Sequence, residues 1–253
     1  MPAAFIGHGS PMNAIEDNAF HRAWGELGLR LPRPKAILCI SAHWETRGVA
    51  VTAMERPKTI HDFYGFPQAL FDVRYPAPGD PALARRVASL LGAYQPVLDE
   101  AWGLDHGSWG VLIAMYPKTD IPVVQLSLDM TKPASYHYEV GRALRPLRDE
   151  GVFVLGSGNI VHNLRLFDWR GMERLAWAER FDAAVKQRIA AGAHDELIGY
   201  DRLGEDAALA INSAEHYLPL LYVLGAQEPG ERVSFFNESV LSSISMTSVV
   251  VGG

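Results

Sequence analysis

Phe5-Ile6-Gly7-His8-Gly9-Ser10-Pro11 is where the first apolar run of the chain, Ala3 to Ile6, is cut short. The run reads as a β-strand. Two glycines then lift the Cβ restrictions on the backbone, and Pro11 forbids a continuing ladder. An imidazole therefore stands at the C-terminal end of a strand, on a loop with little side-chain bulk. In open α/β sheets that edge is where ligands bind. A single histidine in such a loop reads equally as a solvated turn residue, but the device recurs along the chain.

Ala36 to Trp44 is a nearly continuous apolar run, as expected of a central strand buried on both faces, and it too ends in a histidine, His43. Gly151 to Gly158 is a third apolar strand closing in glycines, followed by Asn159-Ile-Val-His162-Asn163. Ile121 to Leu128 and Arg232 to Phe236 read as further strands. Val49 to Met54 reads as a hairpin partner of the strand before it, Val97 as the start of a short strand, and Ser243 to Val251 as a last one. Between them lie helices: Ala14 to Leu27 with Asn13 as its cap, Pro81 to Leu91 capped by Asp80, Trp109 to Met115, Ala134 to Arg145, Gly171 to Ala191, Asp206 to Ile211, and Ala214 to Leu224 capped by Ser213. Strands alternating with helices predict an α/β fold, a single domain over residues 1–253 whose central mixed, largely parallel sheet is flanked by helices.

Composition narrows the function. The chain has 253 residues, 48% hydrophobic and 21% charged, with net charge −6 and pI near 5.8. No Lys/Arg cluster offers a phosphate track, so nucleic acid is not the expected partner. No apolar run approaches the roughly 20 residues that span a bilayer, and the N-terminus enters a strand without a signal-peptide pattern, so no membrane partner is expected. The one cysteine, Cys39, sits inside an apolar strand and reads as a buried structural thiol, consistent with a reducing cytoplasm. The oligomeric state is left open.

Five of the nine histidines, His8, His43, His106, His162 and His216, lie in loops at strand or helix ends, and one sheet edge can bring such loops together. His21, His137 and His194 fall on helical or polar stretches and read as surface residues. The long aromatic and proline-rich segment from Pro57 to Gly79, with His61 in it, reads as a pocket wall. A divalent transition metal needs neutral imidazole or carboxylate ligands on rigid supports, which His8 and His43 supply; His216 or Glu215 offers a third. Three protein ligands leave open positions, the mark of a catalytic site.

His8-Gly9-Ser10-Pro11, Ser41-Ala42-His43-Trp44, Asp105-His106-Gly107-Ser108-Trp109-Gly110, Gly156-Ser157-Gly158-Asn159 leading to His162-Asn163, and Glu215-His216-Tyr217-Leu218-Pro219 occur in that order. Together they resemble the class III extradiol ring-cleavage dioxygenases, and within them the small single-domain 4,5-DOPA extradiol dioxygenase branch. The resemblance runs from Phe5 to about Phe236. It implies that His8, His43 and His216 hold one divalent metal ion per chain, that His162 is the catalytic base beyond the ligands, and that His106 is a catalytic pocket histidine near substrate or oxygen. It further implies a small catechol substrate cleaved with O2, Fe(II) for the oxygen chemistry, and Zn2+ as an ion the purified protein can also carry. Many extradiol enzymes use two histidines and a carboxylate, so Glu215 stays an alternative third ligand. Two other functions fit the same scaffold: a zinc-dependent hydrolase with an activated water at the open position, and a non-enzymatic binding protein that keeps the pocket.

Overall fold

The computed structural model describes residues 1–170 and 174–253. Among the described residues, ten strands run in chain order: β1 (Ala3–Gly7), β2 (Ala36–Thr46), β3 (Ala50–Thr52), β4 (Val97–Asp99), β5 (Val123–Asp129), β6 (Val152–Gly158), β7 (Val233–Phe236), β8 (Val240–Leu241), β9 (Ile244–Ser245) and β10 (Ser248–Val251). Eight of them form one sheet in the order β4-β3-β5-β2-β6-β1-β10-β7. At its centre β5, β2, β6 and β1 are mutually parallel; β10 and β7 add antiparallel strands on one side, and β3 pairs antiparallel with β5 on the other. The predicted α/β class with a mixed sheet is what the chain adopts.

The helices are α1 (Ala19–Arg30), α2 (Gln68–Phe71), α3 (Pro81–Leu90), α4 (His106–Met115), α5 (Ala134–Leu144), α6 (Pro146–Asp149), α7 (Ala176–Ala191), α8 (His194–Ile198), α9 (Glu205–Ala210) and α10 (Leu218–Gly225). Side chains alternate across the central strands, as the two-residue period of a strand requires. Phe5, Leu38, Ile40 and Val154 face one way, onto Val87 of α3, Leu144 of α5, Phe181 of α7 and Leu221 of α10. Ile6, Ile37, Cys39 and Leu155 face the other way, onto Trp24 and Leu27 of α1 and Leu112 of α4. The result is two apolar cores with the sheet between them. Burying each such Leu, Ile or Phe is worth roughly 1.5–3 kcal/mol.

Several boundaries differ from expectation. The first helix begins at Ala19, capped by Asn18, whose Oδ1 accepts the N–H groups of Phe20 and His21 at 3.0 Å each. Asn13 instead donates from Nδ2 to the carbonyl of His8 at 2.9 Å. β2 runs on past His43 to Thr46, and its neighbour β3 pairs with β5 and β4, not with β2. The helix predicted over 171–191 runs from Ala176 to Ala191, and its predicted start at 171–173 lies outside the described residues. The last helix starts at Leu218, because Pro219 belongs in a first turn and would break a helix begun at Ala214. His137, expected at the surface, is fully buried, with Nδ1 3.0 Å from the Tyr222 hydroxyl.

Candidate metal centre

β1 and β6 carry the site on neighbouring parallel ends. Gly7 pairs with Gly158, and the His8 N–H continues the ladder to the Gly158 carbonyl at 3.1 Å. The turn before α10 lies across the end of β6: Asn159 N–H donates to the His216 carbonyl at 2.8 Å, and a Cβ at Gly158 would collide with that same carbonyl. β2 contributes differently. Its pairing with β5 jumps from Ile40 opposite Leu126 to Glu45 opposite Leu128, so residues 41–44 bulge out of register and carry His43. Bulges re-aim side chains in this way near functional sites. Gly107, in the first turn of α4, leaves room for the bulge, since a Cβ there would meet Ser41 Oγ and His43 Cδ2.

These elements bring His8, His43 and His216 together, with one ring nitrogen of each lying within 4.8 Å of the others. Each ring is tethered from behind. His8 Nδ1 lies 3.0 Å from Ser157 Oγ, and that hydroxyl spends its single proton on the Gly107 carbonyl. It can therefore only accept from His8, which fixes the Nδ1–H tautomer and leaves a lone pair on Nε2. His43 Nδ1 is 3.4 Å from Asp62 Oδ2, and His216 Nδ1 is 3.1 Å from Glu215 Oε1. A carboxylate behind a ligating histidine orients it and raises its basicity.

The two front nitrogens, Nε2 of His8 and of His43, are 3.1 Å apart. With the His8 proton held at Nδ1 and the Asp62 carboxylate drawing that of His43 the same way, two lone pairs face each other, an arrangement that a cation between them satisfies. Two neighbouring ligands on bonds of about 2.1 Å would stand roughly 3 Å apart. Ionisation is biased the same way. Burial, with the neighbouring imidazoles, drives His8 and His216 well below the ordinary histidine value and brings His43 down to about 3. Neutral imidazole is the ligating form. The donor set thus fits a divalent transition ion, and three imidazoles accept iron or zinc alike.

His106 and His162 flank this triad. His106 opens α4, its ring centroid 4.0 Å from that of His43. Asp62 Oδ1 accepts its backbone N–H and Oδ2 its Nδ1–H, both at 2.9 Å. Burial pushes the Asp62 carboxyl up, but the hydrogen bond and charge of His106, with His43 behind, outweigh it and hold the group below its ordinary value. His162 stacks on His216, centroids 3.4 Å apart and planes 8° from parallel; burial lowers it to about 4, so it is neutral at pH 7. Beneath lies Asp105, the fully buried N-cap of α4, bonded to Ser108 N–H and the Gln125 amide and raised by burial to about 6.

All five histidines singled out from the sequence therefore converge. His61 does not join them; its Nε2 meets the Val73 carbonyl at 3.0 Å, among Phe63, Phe71 and Trp109. Asp62 was missed as a site residue. It lies inside the predicted pocket wall, but no local spacing announces that its carboxylate reaches His43 and His106. Glu215 lies in the turn before α10, bonded to Ser213 Oγ at 2.9 Å and to His216, and with His162 and His216 it forms a second cluster whose ligand atoms lie within 4.8 Å of one another.

Residues 2–251 match the family model described as the catalytic LigB subunit of aromatic ring-opening dioxygenase. The chain is 54% identical to the 4,5-DOPA dioxygenase extradiol of Escherichia coli K12, covering all of this chain and 95% of that one. It is 38% identical to the protein of the same name from Beta vulgaris, over 93% of this chain and 90% of the relative. A crystal structure of an uncharacterized protein from Escherichia coli K12 superposes with a TM-score of 0.87, at 49% identity and full coverage of both chains.

Proposed function

This chain belongs to the family of the catalytic LigB subunit of aromatic ring-opening dioxygenase and is an extradiol dioxygenase; from that premise we propose that His8, His43 and His216 hold its one divalent metal ion, and that its substrate is a catechol of the DOPA type. The observation that carries the ligand set is the shared wiring of the three rings. Each offers Nδ1 to a group behind it, Ser157, Asp62 or Glu215, and so keeps Nε2 for the ion. Glu215 is then the carboxylate behind His216 and not the third ligand.

Bound Fe(II) supplies the redox chemistry that lets dioxygen react with an electron-rich catecholate, chemistry that zinc lacks. The chain's own groups prepare the substrate. His162, neutral at pH 7, accepts a hydroxyl proton of the catechol on a ring nitrogen and returns a proton as the ring opens to a semialdehyde. Its stack on His216 fixes the plane from which it does so. His106, with its Nδ1 proton committed to Asp62, accepts a hydrogen bond at Nε2 and orients the diol. Phe63, edge-on to His106 at 5.6 Å, gives the pocket a flat apolar wall for the aromatic ring. Positioning two reactants in this way replaces a chance encounter by an intramolecular one.

Zinc is the ion the protein carries when purified without care, because zinc outranks Fe(II) in affinity for such donors. The buried, lone Cys39 supports a cytoplasmic setting, and no described helix is long and apolar enough to cross a membrane. The test is to strip the metal, reload with Fe(II) without air, and follow L-DOPA and simpler catechols by oxygen uptake and product absorbance. One O2 consumed per ring opened is the expected result. A zinc form that hydrolyses an ester, beside an iron form that takes up no oxygen with any catechol, would overturn the reading.

A further inference from the structure

We propose that Asp62 is a positioning residue of the reaction: its carboxylate holds His106 as a hydrogen-bond acceptor toward the substrate and locks the pocket wall to the metal centre. The inference rests on the role given to His106 above. Three contacts of one carboxylate carry it. Oδ1 takes the backbone N–H of His106 and Oδ2 the ring Nδ1–H, at 2.9 Å each, and Oδ2 also lies 3.4 Å from His43 Nδ1. Two attachments to one residue fix its position and its ring rotation together. An ionised carboxylate only accepts, so the hydrogen-bonded His106 ring must present Nδ1–H to it, with His43 the more distant neighbour. In the neutral imidazole this leaves the lone pair on His106 Nε2, which has no hydrogen-bond partner among the described residues.

The support behind Asp62 is rigid. Ile60 N–H donates to the Leu104 carbonyl at 2.7 Å and Leu104 N–H to the Lys58 carbonyl at 2.9 Å. Trp109 Nε1 donates to the Ile60 carbonyl at 2.7 Å, so the residues leading into Asp62 are pinned to α4 and its approach. Asp62 itself is only 17% exposed. A side chain held this firmly, 44 positions away in sequence, sets a tautomer that water would not set.

Asp62→Asn separates this role from a merely structural one. The variant keeps an oxygen for the His106 backbone N–H but turns an amide N–H2 toward Nδ1, which favours the Nε2–H tautomer. Loss of such an outer partner typically lowers affinity or activity about 10- to 100-fold. Because Asp62 also stands behind His43, metal affinity can fall as well, so turnover is referred to bound iron: at saturating Fe(II) the expected result is kcat/KM for catechol per bound iron down about 10- to 100-fold. In the zinc-loaded, diamagnetic protein, long-range proton–nitrogen NMR of labelled histidine reads the tautomer directly, the His106 signals being assigned by their loss in His106→Gln. Wild type should show Nδ1–H at His106 and Asp62→Asn should show Nε2–H. An unchanged tautomer, or an unchanged kcat/KM per bound iron, would each overturn the proposal. The NMR arm needs no turnover, so it decides the role of Asp62 even if no catechol proves to be a substrate.

Discussion

Ser157→Ala probes the wiring of the metal centre at the point where no charge is altered. The wild-type hydroxyl accepts from His8 Nδ1 at 3.0 Å and donates to the Gly107 carbonyl, and Ser157 is fully buried. Removing it strands two polar groups, each at a cost of about 1–3 kcal/mol. At the lower bound that is about 2 kcal/mol, or a fall of about 4–8 °C in the Tm of the metal-free protein. His8 also loses what fixes its tautomer and its aim. Metal affinity should therefore drop about 10- to 100-fold, roughly 1.4–2.7 kcal/mol. Competition for zinc against a chromophoric chelator measures the second effect, and a thermal melt the first. A variant that melts lower yet binds zinc as tightly as wild type would show that Ser157 only packs, and the tautomer argument for His8 would fall.

Four other outcomes are expected. His162→Ala should retain most of its metal and lose most turnover, whereas His8→Ala and His43→Ala should lose the metal; metal analysis beside oxygen uptake separates the cases, and equal metal loss in all three would make His162 a ligand. In the metal-free protein, stability should fall as pH drops below about 6.5. His43 and His162, depressed to about 3 and 4, stay neutral in the folded chain while their unfolded counterparts take up protons, and His8 and His216 act in the same direction. His137, lowered by burial to about 4, and His194, also lowered by burial, add to this, whereas Asp105, raised to about 6, and Glu45, raised by burial, oppose it with fewer groups; a Tm that stays level from pH 7 to pH 5 would contradict the sign. Saturating zinc should raise the Tm at pH 7 in proportion to the logarithm of its concentration, and Asp62→Ala should lower the Tm by leaving the part-buried His106 N–H, in the first turn of α4, without its acceptor.

The parts of the fold that local chemistry dictates were readable in advance. β1 ends where Gly7, Gly9 and Pro11 stop a ladder, and α3 begins at Asp80-Pro81, a cap followed by the proline that suits a first turn. The convergence of five histidines was readable as a possibility, because a sheet edge gathers loops. What escaped depends on partners distant in sequence. The bulge carrying His43 exists only in the register between β2 and β5, and the apolar run through Trp44 looks like an ordinary strand. Asn13 and Asn18 are both capping residues by type, and the bond from Asn13 to the His8 carbonyl decides between them. His137 sits on a helix of mixed polarity, and partners distant in sequence, such as the Tyr222 hydroxyl, accompany its burial. The late start of α10 had a legible signal in Pro219, and it places Glu215 and His216 in a turn where one can stand behind the other.

The claim at the centre is that one ion sits among His8, His43 and His216, with the carboxylates held back. Anomalous diffraction from crystals of the zinc- or iron-loaded protein, recorded on either side of the metal edge, tests it most directly. The account predicts a single peak within about 2.0–2.2 Å of Nε2 of all three histidines, with Glu215 and Asp62 bonded only to the far side of their rings. A peak coordinated by Glu215 Oε1 and His162, leaving His8 outside, would contradict it.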